Sequence, residues 1–307
     1  VRLERLGFFK GVEVETPQVA GSDDQIDVNF SVEEQPSGSI SGTLAYSQGY
    51  GLIIGGNYQQ SNIQGSGNSF NTGVNLSKYQ KSVNVGYFDP YFTLDGISRG
   101  FNLFFRRLDY DERYIARYST DSFGGGVNFG FPIGETQRID FGVSAEHTKL
   151  TSGYAAAQEI ARFIDDNGQK AFFLKGNLSW TRSTLNRGVF ADRGSSQSMA
   201  LETTVPGSDL EFYKLTYSGE RYFPVTGTWT LKLRTELGFG GAYGDTSGLP
   251  FYEHFYAGGF GSIRGFENST LGPRSTNPLD QNGQPVFYRQ NGDSGEYGQP
   301  FGGNLLV

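Results

Sequence analysis

The chain has 307 residues, with 45 glycines, 18 tyrosines and 26 phenylalanines against one methionine, a balance that favours many strands and turns over packed helices. A net charge of -7 offers no electrostatic footprint for nucleic acid; the lack of cysteine excludes disulfides and thiolate metal sites, and two distant histidines, His147 and His254, supply poorly for a histidine-based metal site or triad. No apolar run reaches the roughly 18 residues of a transmembrane helix, but the mean hydropathy of -0.43 also suits a membrane barrel, whose strands alternate lipid-facing apolar and lumen-facing polar residues.

Residues 1–36 differ in character from the rest. Residues 1–9 read as the end of a short helix, with Leu3 and Leu6 on one side and Gly7 as its stop. Strands follow at 12–15 and 26–32, joined by a turn-rich segment containing Pro17, Gly21, Ser22 and Asp23. This small α+β piece is too short to hold a core of its own. Gln35, Pro36, Ser37 and Gly38 form its natural boundary.

From Ser39 onward the chain is a series of period-two segments. They fall at 39–47, 51–60, 69–79, 81–88, 97–109, 119–131, 137–149, 170–181, 196–205, 211–223 and 228–240, and a further one starts at Asn304. In one, Phe123, Gly125, Val127, Phe129 and Phe131 alternate with Gly124, Gly126, Asn128 and Gly130. Another sets Ile139, Phe141, Val143 and Ala145 against Asp140, Gly142, Ser144 and Glu146. In 228–240, Trp229, Leu231, Leu233, Leu237 and Phe239 alternate with residues that include Lys232, Arg234 and Glu236, charges that need water or a paired polar interior. Many segments approach the nine to eleven residues of a tilted membrane strand. Connections at 47–50, 79–81 and 131–134 are short and those at 150–169 and 241–303 long, the asymmetry of an outer-membrane barrel. A soluble β-sandwich also alternates, but its non-apolar faces are not built from Gly, Ser and Asn with charges at mid-strand. Aromatics at segment ends, such as Tyr87, Phe88, Tyr91, Phe92, Tyr222 and Phe223, suit an interfacial girdle. The fold class is therefore all-β, an antiparallel transmembrane β-barrel. Within the long connection, Ala156, Ile160 and Phe163 share one helical face of 154–164, predicting a short surface helix in preference to a lid. The chain starts without methionine and stops inside an apolar run, so a fragment is expected.

No catalytic, cofactor-binding or metal-binding constellation emerges. The pairs Asp23/Asp24 and Asp165/Asp166 sit in turn-like settings with neighbours pointing apart. Gly124, Gly125 and Gly126 lie inside a strand without the lysine and helix of a phosphate loop, and close approach of a neighbouring backbone or curvature explains them better. His147, in line with Phe141, Val143 and Ala145, belongs at a membrane interface sooner than at a metal. The remaining landmark is 251–266, where five aromatics crowd ahead of Arg264 and glycines at 258, 259, 261 and 265 permit a tightly folded loop.

Three segments together resemble the BamA family of the bacterial outer-membrane β-barrel assembly machinery: the Asp89-Pro90-Tyr91-Phe92 stretch through Gly96, the Val205-Pro206-Gly207-Ser208-Asp209 stretch through Lys214, and 251–266. Ile263, Arg264, Gly265 and Phe266 resemble that family's (V/I)RGF motif of the sixth extracellular loop, supported by Phe255, Tyr256, Gly258 and Gly259. The resemblance implies a 16-stranded barrel of which 37–307 would be the first eleven or twelve strands, preceded at 1–36 by the end of the last periplasmic POTRA domain. It implies that Arg264 pins the loop inside the barrel through acidic partners in later strands, a role that fits a guanidinium in low dielectric facing a fixed carboxylate. A lateral seam is implied at the first strand, where Ile40, Gly42, Leu44 and Tyr46 share one side. The implied activity is non-enzymatic and cofactor-free: folding and inserting β-barrel proteins into the outer membrane. Its partners would be unfolded outer-membrane proteins, periplasmic lipoprotein subunits and outer-membrane lipid, with the N-terminal segment in the periplasm. A related translocation channel, of the TamA or two-partner secretion type, would share the barrel and the motif.

Overall fold

The structure, a computed structural model, describes residues 9–19, 21, 25–34, 36–47, 51–110, 116–153, 156–267, 269–287 and 298–307. Nearly all of the helix expected over 1–9 lies outside them, as do Tyr154 and Ala155. Near the N-terminus, β1 (Phe9–Glu15) and β2 (Asn29–Glu34) form an antiparallel pair with Val12 opposite Val32 and Val14 opposite Phe30.

The other strands form one sheet in sequence order. They are β3 (Gly38–Ser47), β4 (Gly51–Gln60), β5 (Ser69–Leu76), β6 (Gln80–Asp89), β7 (Ser98–Asp109), β8 (Tyr118–Pro132), β9 (Gln137–Ser152), β10 (Lys170–Ser183), β11 (Gly194–Thr204), β12 (Phe212–Pro224), β13 (Thr230–Ala242) and β14 (Leu305–Leu306). Each pairs antiparallel with its sequence neighbours, giving a 12-stranded meander with β3 and β14 at its edges. The eleven alternating segments are β3 to β13, shifted by no more than a few residues.

Register turns the alternation of single strands into continuous rows. Phe129, Phe141, Leu178, Leu201, Leu215 and Phe239 lie opposite one another across six strands. This face is open to the surroundings: Phe123 is 58% exposed and Phe239 48%. An apolar face of this extent, uncovered by protein, is a lipid-facing wall. The opposite face is small and polar. Asn71 faces Gly86, Asn84 faces Gly73, Asn128 faces Gly100 and Asn177 faces Gly142, so each asparagine leans over a neighbouring strand that has no side chain in its way. At Gly124, a β-carbon would lie 2.4 Å from the Ala145 carbonyl oxygen, so backbone approach accounts for the glycine run.

Two expectations change. In an antiparallel meander, connections alternate between the two sheet ends, so the short β3–β4 and β5–β6 connections fall at the same end as the long β9–β10 and β13–β14 ones. The short turns therefore do not define the opposite end; that end carries 61–68, 90–97, 133–136, 184–193 and 225–229, and none of these approaches the 62 residues of 243–304. The helix, α1 (Gln158–Asn167), starts later than expected and is not a plain surface helix. Ala157 and Ile160 are buried with Ala116, Tyr118, Leu150 and Phe251, with Ala156 and Phe163 packed against them. The core of the molecule thus sits on the inner face at the long-loop end. There the inner positions change from small to large, as at Tyr118, Leu150, Phe173 and Phe212, because a loop and a helix cover them.

Candidate functional site

The 243–304 connection descends along the inner face of β13. Leu249 rests at Gly240 and the Phe255 ring at Gly238, with a β-carbon on either glycine falling 2.7–2.8 Å from these side chains. One level further down, Gly261, Ser262 and Ile263 line a recess with Arg234, Thr235, Glu236 and Leu237. Glycines at two successive inner positions, Gly238 and Gly240, thus leave a groove into which the loop's apolar side chains fit.

A buried charge cluster fastens this loop to the wall. Lys175 of β10 has its ammonium 3.2 Å from Glu146 of β9, 3.5 Å from Glu202 of β11 and 3.4 Å from Glu253 of the loop. Glu253 also accepts a 2.9 Å hydrogen bond from Lys214 Nζ of β12. Two lysines and three glutamates from four strands and the loop therefore share one site, each partly or largely withdrawn from water. Burial opposes ionisation of Glu253, but the ammoniums of Lys175 and Lys214 prevail and hold its carboxyl below the usual range. Beside the cluster lies a lumen cavity of about 360 Å³ lined by residues that include Asn102, Arg106, Asn128 and Asn177.

Aromatic packing completes the brace. Phe251 meets Tyr118 edge-on at 4.8 Å and Phe163 at 5.2 Å, and stacks on Phe301 at 5.6 Å. The His254 Nδ1 lies 2.9 Å from the Phe301 carbonyl, which can only accept, so Nδ1 carries the proton. Burial holds the His254 imidazole below its usual range and pushes the Tyr256 phenol up to about 12. The N-terminus of α1 grips the returning limb: Thr276 donates from its backbone to both Glu159 carboxylate oxygens at 3.0 Å, and Gln158 Nε2 donates to the Asn277 carbonyl at 2.9 Å.

The motif forms the tip of a hairpin-like turn closed by the Ala257–Leu271 bridge. Gly258 has φ 107°, and its absent β-carbon would sit 2.5 Å from the Glu267 carbonyl oxygen. Gly265 has φ 93°. Of the residues singled out in sequence, Phe255 lies on Gly238 with Lys214 Nζ 5.2 Å from its ring, and Tyr256 packs against the Tyr118 cluster. Ile263, Arg264, Gly265 and Phe266 are exposed, and the Arg264 guanidinium lies 4.5 Å over the Phe260 ring. Among the described residues Arg264 has no carboxylate partner. Within the described chain the anchor is Glu253. Sequence reading passed over it, although the charges at inner positions of β9 to β12 were its signal. Ile40, Gly42, Leu44 and Tyr46 lie far from this brace, along the unpaired edge of the sheet.

The other two motif segments are turn devices. Asp89 Oδ1 accepts from the Tyr91 N–H at 3.1 Å and Thr93 Oγ1 from Ile97 at 3.2 Å, shaping the 90–97 turn. In 205–209, Ser208 Oγ and Asp209 Oδ2 accept from the backbone N–H groups of Leu174 and Phe172, so this segment continues the pairing of β10 where β11 has ended.

Residues 62–307 match the Omp85 superfamily domain. The chain belongs to the Omp85 superfamily. Among its Omp85 relatives, the outer membrane protein assembly factor BamA of Neisseria meningitidis serogroup B is 33% identical over 300 residues, covering 94% of this chain and 37% of that protein. BamA of Nitratidesulfovibrio vulgaris is 24% identical over 286 residues, covering 92% of this chain and 35% of its own length. The chain thus spans little more than a third of these curated relatives. The crystal structure of BamA from Haemophilus ducreyi lacking POTRA domains 1-3 superposes with a TM-score of 0.78 at 27% identity, over 99% of this chain and 58% of that one. CdiB from Acinetobacter baumannii, at 14% identity and a TM-score of 0.53 over 89% of this chain and 51% of its own, shares the fold alone. This Omp85 chain is an antiparallel transmembrane barrel wall with its longest loop folded inward.

Proposed function

We propose that the protein containing this chain folds β-barrel proteins and inserts them into the bacterial outer membrane. Substrate strands would pair with a lateral seam at β3 by β-augmentation. The observation that carries the reading is the composition of β3, the first strand of the sheet, which is small on one side and apolar on the other. Ser39, Ser41, Thr43 and Ala45 are small on its inner side, and Ile40, Leu44 and Tyr46 are 84%, 77% and 79% exposed on its outer side. Such a strand can accept a neighbour without steric obstruction. The 33% identity to an assembly factor over most of the chain supports the same reading.

In this proposal 1–36 is the last part of a POTRA domain and 37–307 the barrel. The chain enters β3 at the sheet end opposite the 243–304 connection; in this reading that end faces the periplasm and the inward-folded loop the extracellular side. Unfolded outer-membrane proteins are the substrates, periplasmic lipoproteins the accessory subunits, and no enzymatic step or cofactor is assigned. Arg264, held here by Phe260, is assigned to pin the motif to a carboxylate of the complete barrel. Depletion of the intact protein tests the reading. Many unrelated outer-membrane barrels should disappear together, whereas loss of one exported protein alone would indicate a secretion channel.

A further inference from the structure

The outer face carries a second feature that neither strand pairing nor the loop brace requires. In one register row near the long-loop end, Lys81 stands directly opposite Arg107 and Lys149 directly opposite Lys170, with Asp121 between Arg107 and Lys149. The four cations are exposed; among the described residues Arg107 has one carboxylate contact, to Asp121 at 3.5 Å. Like charges placed directly opposite on neighbouring strands repel, and here two such pairs stand side by side. An anion between the members of each pair turns that repulsion into attraction.

The neighbourhood specifies what kind of anion. Two residues further from the long-loop end, the same strands present Val83, Phe105, Phe123 and Phe172 in one row, with the His147 ring stacked on Phe123 between them. The cationic row therefore runs along the upper border of the lipid-facing wall. Next to it a recess of about 560 Å³ combines an apolar ledge of Leu52, Ile54 and Leu76 with three cations, Lys78, Lys81 and Arg107, against one carboxylate, Asp109. Cations above and an apolar surface below match a headgroup phosphate with attached acyl chains, whereas a free ion would use only the upper half.

We propose that this border is a binding site for a phosphorylated acyl lipid, its phosphates bridging Lys81 with Arg107 and Lys149 with Lys170, its chains lying on the apolar row. That this border faces the outer leaflet rests on the orientation given under Proposed function; the binding itself does not.

The test uses the intact protein in zwitterionic detergent, with bisphosphorylated lipid A as probe and native mass spectrometry to count retained lipid. Lys81→Gln with Arg107→Gln should lower apparent affinity about tenfold or more, while Lys81→Arg with Arg107→Lys should retain it. Lys170→Gln, at the exposed first residue of β10, should give a smaller drop and keeps the test decisive if the double variant fails to fold. Dephosphorylated lipid A should bind as weakly as the glutamine variants. Equal retention by wild type and the glutamine variants would overturn the proposal. So would displacement of lipid A by equimolar inorganic phosphate, which would make the site one for a free ion. Binding is read without assembly activity, so failure of the functional reading leaves this outcome separately visible.

Discussion

Replacing Glu253 by glutamine keeps its shape and removes its charge, which tests whether the charge cluster holds the loop. The variant weakens two ammonium contacts, at 2.9 Å to Lys214 and 3.4 Å to Lys175. Lys175 keeps Glu146 at 3.2 Å and Glu202 at 3.5 Å, so it is not stranded, and the amide oxygen can still accept from Lys214. The loss is then that of a charge-assisted bond reduced to an ordinary one, about 2 kcal/mol for docking of the loop. That corresponds to roughly a 30-fold larger population of the undocked loop. Hydrogen exchange reads it, because the bonds from the Phe255 amide to the Gly303 carbonyl and from the Leu271 amide to the Ala257 carbonyl belong to the seated loop. Exchange of both amides should accelerate about 30-fold at neutral pH. Lys175→Gln should do more, about 3–5 kcal/mol, since it leaves three carboxylates facing one another without their central cation. If Glu253→Gln changes exchange by less than about twofold, the cluster does not hold the loop and the aromatic packing alone does.

Protection of the same amides should fall with acid in two stages. His254, whose imidazole is held low by burial, contributes above its unfolded value of about 6.5 and loses that contribution as pH drops through its lowered folded value. Glu253, also held low, contributes above about 4.3 and gives way only at still lower pH; a single transition shared with Glu253→Gln would contradict this order. Gly258→Ala should destabilise loop docking by about 1–3 kcal/mol through its positive φ and the close Glu267 carbonyl. Gly261→Ala, with nothing within 4 Å, should be near neutral, and equal exchange in the two variants would refute the strain argument. In the intact protein, Arg264→Ala should raise protease cleavage within 259–267 while leaving the Phe255 amide protected, whereas Glu253→Gln should loosen both; coincident effects would place both residues in one brace.

Much of this structure is legible one strand at a time. The period of two in 123–131, 137–149 and 228–240 sets not only that these are strands but which residues share a face, because side-chain alternation is a property of the local backbone. The helix was harder. Ala157 precedes α1 without a side-chain cap, and its N-terminal end is held by Thr276 and Asn277, more than a hundred residues onward. A start fixed by such contacts leaves no local signal, which is why the expected span came too early. The ends of the sheet were misread for a similar reason, since loop length alone does not say on which side a loop falls. Only the strand count and pairing do.

The sequence by itself determined the wall: its strands, their two faces and the family motifs that mark its turns and its longest loop. Tertiary structure decided what the loop does. Arg264 stands out in the motif, yet within the described chain it rests on Phe260, while Glu253 joins Lys214 and Lys175, 39 and 78 residues away. Those partners meet because four strands in register bring their inner faces to one place and the loop turns back over them. Separations of that kind are set by sheet geometry, to which the spacing of residues along the chain gives no guide.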